Sequence, residues 1–296
     1  PQYANVQYPW EGHEELHPGQ IPERFNPVGS YVKYFHVPEN MKGKRVFISF
    51  QGAESGLALW LNGTFVGYSE DSFTPSEFEL TEYLKEGENK LAAQVFKWTA
   101  SSWCEDQDFF RFSGIYRDVY LYTVPEVHVY DLKIRAIPDE TLKKASLEIV
   151  TKTWGKGKLK LTLSRKGEIL LQDEKALDGE DTCTWEILNP LLWSAEEPNL
   201  YDLDMEVYDE NGMLQEIIPE KVGFRRFEMK DGIMTLNGKR IVFKGVNRHE
   251  FSSVTGRHVS REELIQDIVT MKQNNINAIR TCHYPDASPI YRLCDE

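Results

Sequence analysis

Cysteines, basic residues and long apolar runs are scarce in this chain of 296 residues, and each scarcity excludes a class of protein. The four cysteines form neither a CxxC pair nor a zinc-binding spacing, which favours reduced thiols in a cytoplasmic protein over a disulfide scaffold. Lysine and arginine number 34 against 47 aspartate and glutamate, and the net charge of −13 argues against a nucleic-acid partner. No apolar run is long enough to cross a bilayer, so we expect no membrane partner.

The remaining composition is that of a soluble globular protein. Apolar residues make up 41% of the chain and charged residues 27%, and the length predicts two or three domains. We find no signal peptide, no internal repeat and no low-complexity tract. Because residue 1 is Pro1 rather than Met, we expect the natural N-terminus to lie upstream.

The pattern of residues 1–124 predicts an all-β domain. Strand-like runs cover Arg45–Phe50, Lys90–Trp98 and Val119–Val124. Two further runs, LALWL and TFVGY, flank Asn62-Gly63, and a two-residue Asn-Gly link between strands favours a hairpin because both positions accept positive φ. Turn residues recur about every 8–12 positions, which is typical of a β-sandwich.

Pro125 begins a region with cleaner alternation, which predicts a second sandwich over residues 125–223. In Lys158–Leu163, leucine alternates with lysine and threonine, as in an antiparallel strand with one buried face. Tyr201–Val207 alternates in the same way. About a hundred residues of short strands fit an immunoglobulin-like sandwich.

Residues 224–296 change to the pattern of a βαβα unit, with two parallel strands and two helices. We predict strands at Ile241–Val246 and Ile276–Thr281 and a helix-like segment from Ser288. Between the strands, Ser260 and Glu263 have the spacing of a capping box at the start of a helix. The segment contains two strands of a (β/α)₈ barrel at most.

Polar residues follow both predicted parallel strands, where a barrel presents its active-site face. Asn247-Arg248-His249-Glu250 comes after the first strand, and Arg280 and His283 come at the end of the second. Imidazoles and a guanidinium there can bind ligand hydroxyls or hold a carboxylate in place. The alternative is that they are salt-bridged loop residues.

An acidic run in the first domain, Glu105-Asp106-Gln107-Asp108, has two interpretations. Three carboxylates in four residues repel one another, and a cation or a hydrogen-bonded ligand would relieve that repulsion. A solvated acidic turn is equally consistent with the charge pattern.

The segment NAIRTCHYP resembles the first signature of glycoside hydrolase family 2, and LNGKRIVFKGVNRHE and PLLWSAEEPNLY are similar to other segments of that family. Within the family, ANVQYPW, LWLNGTFVGYSEDSFTPSEFEL and EDQDFFRFSGIYRDV look like the lac-type bacterial β-galactosidases. The likeness covers essentially the whole chain.

The resemblance implies a multidomain fold. It implies a jelly-roll-like sugar-binding β-sandwich at 1–124, an immunoglobulin-like β-sandwich at 125–223, and the truncated start of a TIM-barrel catalytic domain at 224–296. It also implies a cytoplasmic bacterial β-galactosidase that hydrolyses terminal β-galactosides with retention, forms a homo-oligomer and uses sodium and magnesium.

Site residues follow from the resemblance position by position. Asn5 and Asp108 match residues that contact the galactosyl hydroxyls, and Asp108 also matches a sodium ligand. His249 and His283 match the two histidines that stabilise the transition state. Arg280 matches an arginine that braces the nucleophilic carboxylate.

The family carries its acid/base and nucleophile carboxylates on later barrel strands, so Glu250, Glu262 and Glu263 are not expected to be catalytic. The magnesium ligands and the remaining sodium ligands are also expected after Glu296, and we expect the chain alone to be inactive. Two alternatives stay open: a β-glucuronidase or β-mannosidase of the same family, or a non-catalytic carbohydrate-binding or assembly module.

Overall fold

The computed structural model describes residues 14–105, 110 and 112–296. The chain divides into two compact units, and the first is discontinuous in sequence. The first unit comprises Pro1–Val124 and Gly245–Ile290, and the second comprises Pro125–Lys244 and Tyr291–Glu296. Within the described residues, no helix has the length and apolar character that a membrane span requires.

The first unit contains a β-sandwich built from two main antiparallel sheets. Its strands are β1 (Val28–His36), β2 (Arg45–Phe50), β3 (Ala53–Glu54), β4 (Gly56–Leu61), β5 (Thr64–Ser69), β6 (Ser76–Glu79), β7 (Glu88–Phe96), β8 (Gly114–Ile115) and β9 (Val119–Val124). One sheet has the order β1-β7-β4-β5 and the other β6-β2-β9, and β3 and β8 form a small pair beside them. The sheets bury one core, to which β2 contributes Ile48 and Phe50 and β4 contributes Leu57, Leu59 and Leu61.

The predicted Asn-Gly hairpin is confirmed between β4 and β5. Asn62 has φ 54° and Gly63 has φ 88°, the left-handed conformations that a tight hairpin turn requires. The Asn62 side chain also donates hydrogen bonds to the carbonyl of Tyr83 and to Oδ1 of Asn89, at 2.9 and 2.8 Å. The Asn62 side chain therefore connects the hairpin with the segment from Tyr83 to Asn89.

The second unit contains the immunoglobulin-like sandwich and a short antiparallel meander. The strands are β10 (His128–Pro138), β11 (Lys144–Arg165), β12 (Glu168–Leu188), β13 (Tyr201–Asp209), β14 (Leu214–Val222), β15 (Phe227–Lys230), β16 (Ile233–Leu236) and β17 (Lys239–Arg240). The sandwich strands follow the order β10-β11-β13-β14, with β12 paired to β11. Leu147, Ile149, Leu161, Leu203 and Met205 are buried in its core.

A bend in β11 lets this strand pair with β10 over its first half and with β13 over its second. The sequence analysis predicts only the second half, Lys158–Leu163, from its alternation of leucine with polar residues. At the bend, the register with β12 shifts between Lys152 and Lys156, and Gly155 has φ 80°. A Cβ atom on Gly157 would lie 2.0 Å from the carbonyl oxygen of Tyr208, so the close antiparallel pairing of β11 with β13 requires glycine there.

The start of the predicted barrel is confirmed as a βαβα segment. It consists of β18 (Gly245–Arg248), α1 (Arg261–Gln273), β19 (Ala278–Thr281) and α2 (Pro289–Asp295), and β18 pairs with β19 in parallel. The capping box is also confirmed: the Ser260 hydroxyl accepts from the Glu263 amide, and the Glu263 carboxylate accepts from the Ser260 amide.

The strand predicted at Ile241–Val246 is wrong in its bounds, because the parallel strand begins only at Gly245. The amide of Ile241 bonds to the carbonyl of Met234, so this residue continues the preceding meander. Val242 and Phe243 are 56% and 51% exposed. The strand starts where its parallel partner β19 comes close, at Gly245, which pairs with Ala278. A Cβ atom on Gly245 would lie only 3.1 Å from the Ala278 carbonyl oxygen.

We expect Gly157→Ala to lower the free energy of unfolding of the second unit by about 2–4 kcal/mol, because the added methyl group forces two backbone segments apart. Gly167→Ala is the matched control: Gly167 has φ 82° but open space around it, so we expect a loss of about 1 kcal/mol. Urea unfolding of both variants measures the difference. Equal losses would contradict the close approach of β11 and β13.

Candidate active site

Two histidines meet at the carboxyl ends of the parallel strands. His249 is the first residue after β18, and His283 is the second residue after β19. Their ring centroids lie 5.7 Å apart with the ring planes at 85°. Both side chains are half-buried, so each ring keeps an accessible edge. The structure thus brings together the two imidazoles that the sequence predicts at one barrel face; their catalytic role stays a prediction.

Aromatic side chains that the sequence analysis did not single out surround His249. The hydroxyl of Tyr284 lies 3.5 Å from Nδ1 of His249. The ring centroid of Phe110 lies 5.7 Å from that of His249 and 4.6 Å from that of Phe251. A stacked pair, Phe73 and Tyr284 at 4.5 Å, continues this wall. The sequence does show aromatic residues near both histidines, since Phe251 follows His249 by two positions and Tyr284 directly follows His283. Spacing alone does not show which rings meet.

Arg280 lies in β19, in register with Asn247 of β18. Its side chain is exposed, and its Nη1 donates a hydrogen bond to Sγ of Cys282 at 3.1 Å. The sequence correctly placed this guanidinium at the strand end. Its contact with a buried thiol is a local restraint that the sequence did not predict.

The other predicted binding residues, Asn5 and Asp108, lie outside the described residues. Glu105 belongs to the same acidic run as Asp108 and is described. Its carboxylate accepts a hydrogen bond from the Ser72 hydroxyl at 2.7 Å. Burial raises the pKa of Glu105, and the nearby charges of Glu54 and Asp71 act in the same direction. In the part of the chain that the structure describes, no group of three His, Cys, Asp or Glu side chains is placed to hold a metal ion.

The three glutamates of the barrel segment have structural contacts or surface positions. Glu250 is buried and forms an ion pair of 2.5 Å with Arg117. Glu263 closes the capping box of α1, and Glu262 is exposed in the first turn of the same helix. That the catalytic carboxylates lie on later strands stays a prediction.

A second buried ion pair lies beneath the strand ends. Arg248, the last residue of β18, donates to Asp286 from Nη1 at 2.7 Å and to Asp267 from Nε at 2.9 Å. Burial raises the pKa of Asp286 to about 6, the negative charge of Glu250 adds to this rise, and the charge of Arg248 opposes it. The Asp286 carboxyl is therefore largely protonated and uncharged when the pH is well below about 6, although its partner Arg248 is a cation.

The arrangement suits recognition of a polyhydroxylated ligand. An imidazole can donate from one ring nitrogen and accept at the other, so two imidazoles side by side can bind neighbouring hydroxyls. The aromatic wall supplies an apolar surface beside them, as sugar sites commonly do.

Three family models match consecutive parts of the chain: "Glycosyl hydrolases family 2, sugar binding domain" at residues 1–125, "Glycosyl hydrolases family 2" at 127–225, and "Glycosyl hydrolases family 2, TIM barrel domain" at 227–296. The expected order of a sugar-binding sandwich, an immunoglobulin-like sandwich and a partial TIM barrel is confirmed.

Curated relatives match the whole chain. The β-galactosidase of Halalkalibacterium halodurans is 54% identical, that of Streptococcus thermophilus 53%, and the β-galactosidase large subunit of Leuconostoc lactis 46%. The chain spans only 30%, 29% and 50% of these relatives.

Solved structures share the fold at lower identity. A β-glucuronidase of Bacteroides uniformis is 27% identical with a TM-score of 0.80, over 92% of this chain and 35% of that one. A β-glucuronidase of Bifidobacterium dentium is 23% identical with a TM-score of 0.82, over 90% of this chain and 51% of that one, and it shows the fold alone.

We expect Asp286→Asn to remove part of the pH dependence of stability. Because the folded-state pKa of Asp286 is about 6, above its usual 3.8, the folded chain binds a proton that the unfolded chain releases between these values. Asp286 therefore lowers the free energy of unfolding as pH rises from about 4 to 6, by on the order of 1–2 kcal/mol after allowing for relaxation. As pH rises through that window, the free energy of unfolding of the variant therefore increases relative to that of wild type.

Urea unfolding at several pH values between 4 and 7 measures this difference. Asp267→Asn is the control, since it removes the other partner of Arg248 and leaves Asp286 in place. An unchanged slope in Asp286→Asn, or the same change in Asp267→Asn, would show that Asp286 is not the group responsible.

Proposed function

Since this chain belongs to glycosyl hydrolase family 2, we propose that it is the N-terminal part of a β-galactosidase that hydrolyses terminal β-D-galactose residues with retention of configuration. The observation that carries this choice is the 54% identity, over the whole chain, with a relative named β-galactosidase. The paired imidazoles at the strand ends support it independently, because they suit a ligand rich in hydroxyls.

In this proposal, His249 and His283 donate hydrogen bonds to galactosyl hydroxyls. Such bonds accelerate the reaction only if they strengthen as the sugar ring flattens toward the transition state. Arg280 braces the nucleophilic carboxylate, and Asn5 and Asp108 bind further hydroxyls. A retaining glycosidase needs two carboxylates about 5–5.5 Å apart, and later barrel strands supply them.

The proposal includes sodium at Asp108 and magnesium bound by residues beyond this chain. Asp71 and Glu105 are described carboxylates near the acidic run, and their charges interact, whereas the charge of Glu54 is matched by Arg257. A cation suits that negative region. The complete ligand set lies outside the described residues, so the roles assigned above do not depend on a metal.

The same proposal covers location and assembly. We propose a cytoplasmic protein that forms a homo-oligomer. Three relatives are named as large subunits, those of Leuconostoc lactis, Lactobacillus acidophilus and Latilactobacillus sakei, which is consistent with assembly of this kind of chain into a larger protein.

A β-glucuronidase is the second candidate, because solved β-glucuronidases share the fold. A glucuronide carries a carboxylate that needs a cationic partner. The loops of the first sandwich are acidic instead, with Glu70, Asp71 and Glu105 close to one another in sequence or space. Assaying the longer protein on chromogenic galactoside, glucuronide and mannoside decides between the activities. A higher kcat/KM for glucuronide or mannoside would overturn the proposal.

We expect the chain of 296 residues to show no β-galactosidase activity above buffer background, while the longer protein turns over. The reason is that the acid–base and covalent steps need the two carboxylates carried on later strands. Both samples are assayed side by side at equal molar concentration. Turnover by a rigorously purified sample of the shorter chain would show that its own glutamates can act as catalysts.

We expect His283→Phe in the longer protein to lower kcat/KM by about 10²–10⁴-fold, as for loss of a polar transition-state contact of roughly 3–5 kcal/mol. His36→Phe is the control, because His36 is an exposed histidine of β1. Melting temperature and kinetics are measured on the same preparations. A large loss of stability with unchanged kinetics would show that His283 is structural.

A further inference from the structure

The carboxylate of Glu250 joins three parts of the first unit. Its Oε2 accepts a hydrogen bond from Nη2 of Arg117 at 2.5 Å, and its Oε1 accepts one from the amide of Ala287 at 2.9 Å. The Glu250 side chain is 2% exposed and that of Arg117 is 9% exposed. Both oxygens of this carboxylate are therefore committed to fixed partners away from solvent.

The guanidinium of Arg117 extends the same connection into the sandwich. Its Nη1 donates to the carbonyls of Phe73 and Gln51 at 2.6 and 3.3 Å, and its Nη2 also donates to the carbonyl of Pro285 at 3.0 Å. One planar group thus holds two sandwich loops and the segment that follows β19. Its rigid fork of donors suits this geometry better than a lysine ammonium would.

Both imidazole-bearing segments end at this ion pair. Glu250 directly follows His249, while Pro285 and Ala287 follow His283 by two and four residues. On their other side, the same segments begin at the parallel ladder of β18 and β19. Each histidine therefore lies on a short stretch of chain that is fixed at both ends, by the ladder and by the ion pair.

We propose that Arg117 and Glu250 are positioning residues, which set the 5.7 Å separation of the His249 and His283 rings. This inference rests on the proposed function in one respect only: it assigns the separation a catalytic purpose. The physical reason is that a buried ion pair contributes little net stability but strongly restricts geometry. A displacement of about 1 Å at a reacting centre can lower the rate by about 10²-fold.

Another buried ion pair provides a matched control. Arg257 donates from Nη2 to Oε2 of Glu54 at 3.2 Å, and their side chains are 2% and 10% exposed. This pair also joins the sandwich to the barrel segment, yet neither residue directly flanks His249 or His283. Glu54→Gln thus reports the effect of losing a buried ion pair while the hydrogen bonds between Arg117, Glu250 and Ala287 stay in place.

The test compares Arg117→Ala, Glu250→Gln and Glu54→Gln in the longer protein, at a temperature where circular dichroism shows all of them folded. We expect Arg117→Ala and Glu250→Gln to lower kcat by about 10–10²-fold with KM within about threefold of wild type. Glu54→Gln should lower the melting temperature but leave kcat within about threefold. Added methylguanidinium should restore part of kcat to Arg117→Ala and none to Glu250→Gln.

Two outcomes would overturn the proposal: kcat within threefold of wild type in both variants, or recovery of melting temperature but not of kcat with methylguanidinium. A crystal structure of Glu250→Gln gives a readout that is independent of activity, because the ring separation should change by about 1 Å. If the wild-type protein proves to hydrolyse no galactoside, the proposed function fails, and the ring separation still tests the positioning role.

Discussion

Pairing of buried charges is the constraint on which the first unit depends. Three guanidinium groups are nearly excluded from water beneath the strand ends, and each is matched by a carboxylate. The pairs are Arg117 with Glu250, Arg248 with Asp286, and Arg257 with Glu54. For Arg117 or Arg257, loss of the carboxylate partner leaves an uncompensated buried charge, which costs about 3–5 kcal/mol, whereas Arg248 keeps Asp267 when Asp286 is lost. A typical domain is stable by only about 5–15 kcal/mol, so such a loss is a large part of the total. A charged residue of the sandwich that belongs to one of these pairs therefore requires its opposite charge in the barrel segment.

Local rules predicted the features whose causes are local. The Asn62-Gly63 turn and the Ser260–Glu263 capping box were confirmed because a few neighbouring residues determine each of them. The start of β18 was wrong, because the pairing with Ala278 decides it, and Ala278 is distant in sequence. The long β11 escaped prediction for a related reason, since its two halves pair with different strands, β10 and β13, and alternation does not show this.

The same distinction between local and long-range causes applies to the candidate site. A barrel rule was sufficient to place His249 and His283 at one edge, because parallel strands end together. The ion pair that holds their segments could not be predicted, since Arg117 and Glu250 lie 133 positions apart and no periodicity links them. The side-chain direction of Arg280 also depends on a neighbour, the thiol of Cys282, which strand patterns do not specify.

The discontinuity of the first unit has a consequence for synthesis on the ribosome. The sandwich of Pro1–Val124 leaves the ribosome before Gly245–Ile290, with which it shares a compact unit. Translation of the roughly 120 intervening residues takes roughly 6–24 seconds at about 5–20 residues per second. During that interval, Arg117 has carbonyl acceptors but no counter-charge from Glu250, and the aromatic faces of Phe73 and Tyr116 lack Tyr284. The nascent sandwich must therefore tolerate a solvent-exposed, incomplete interface during that interval.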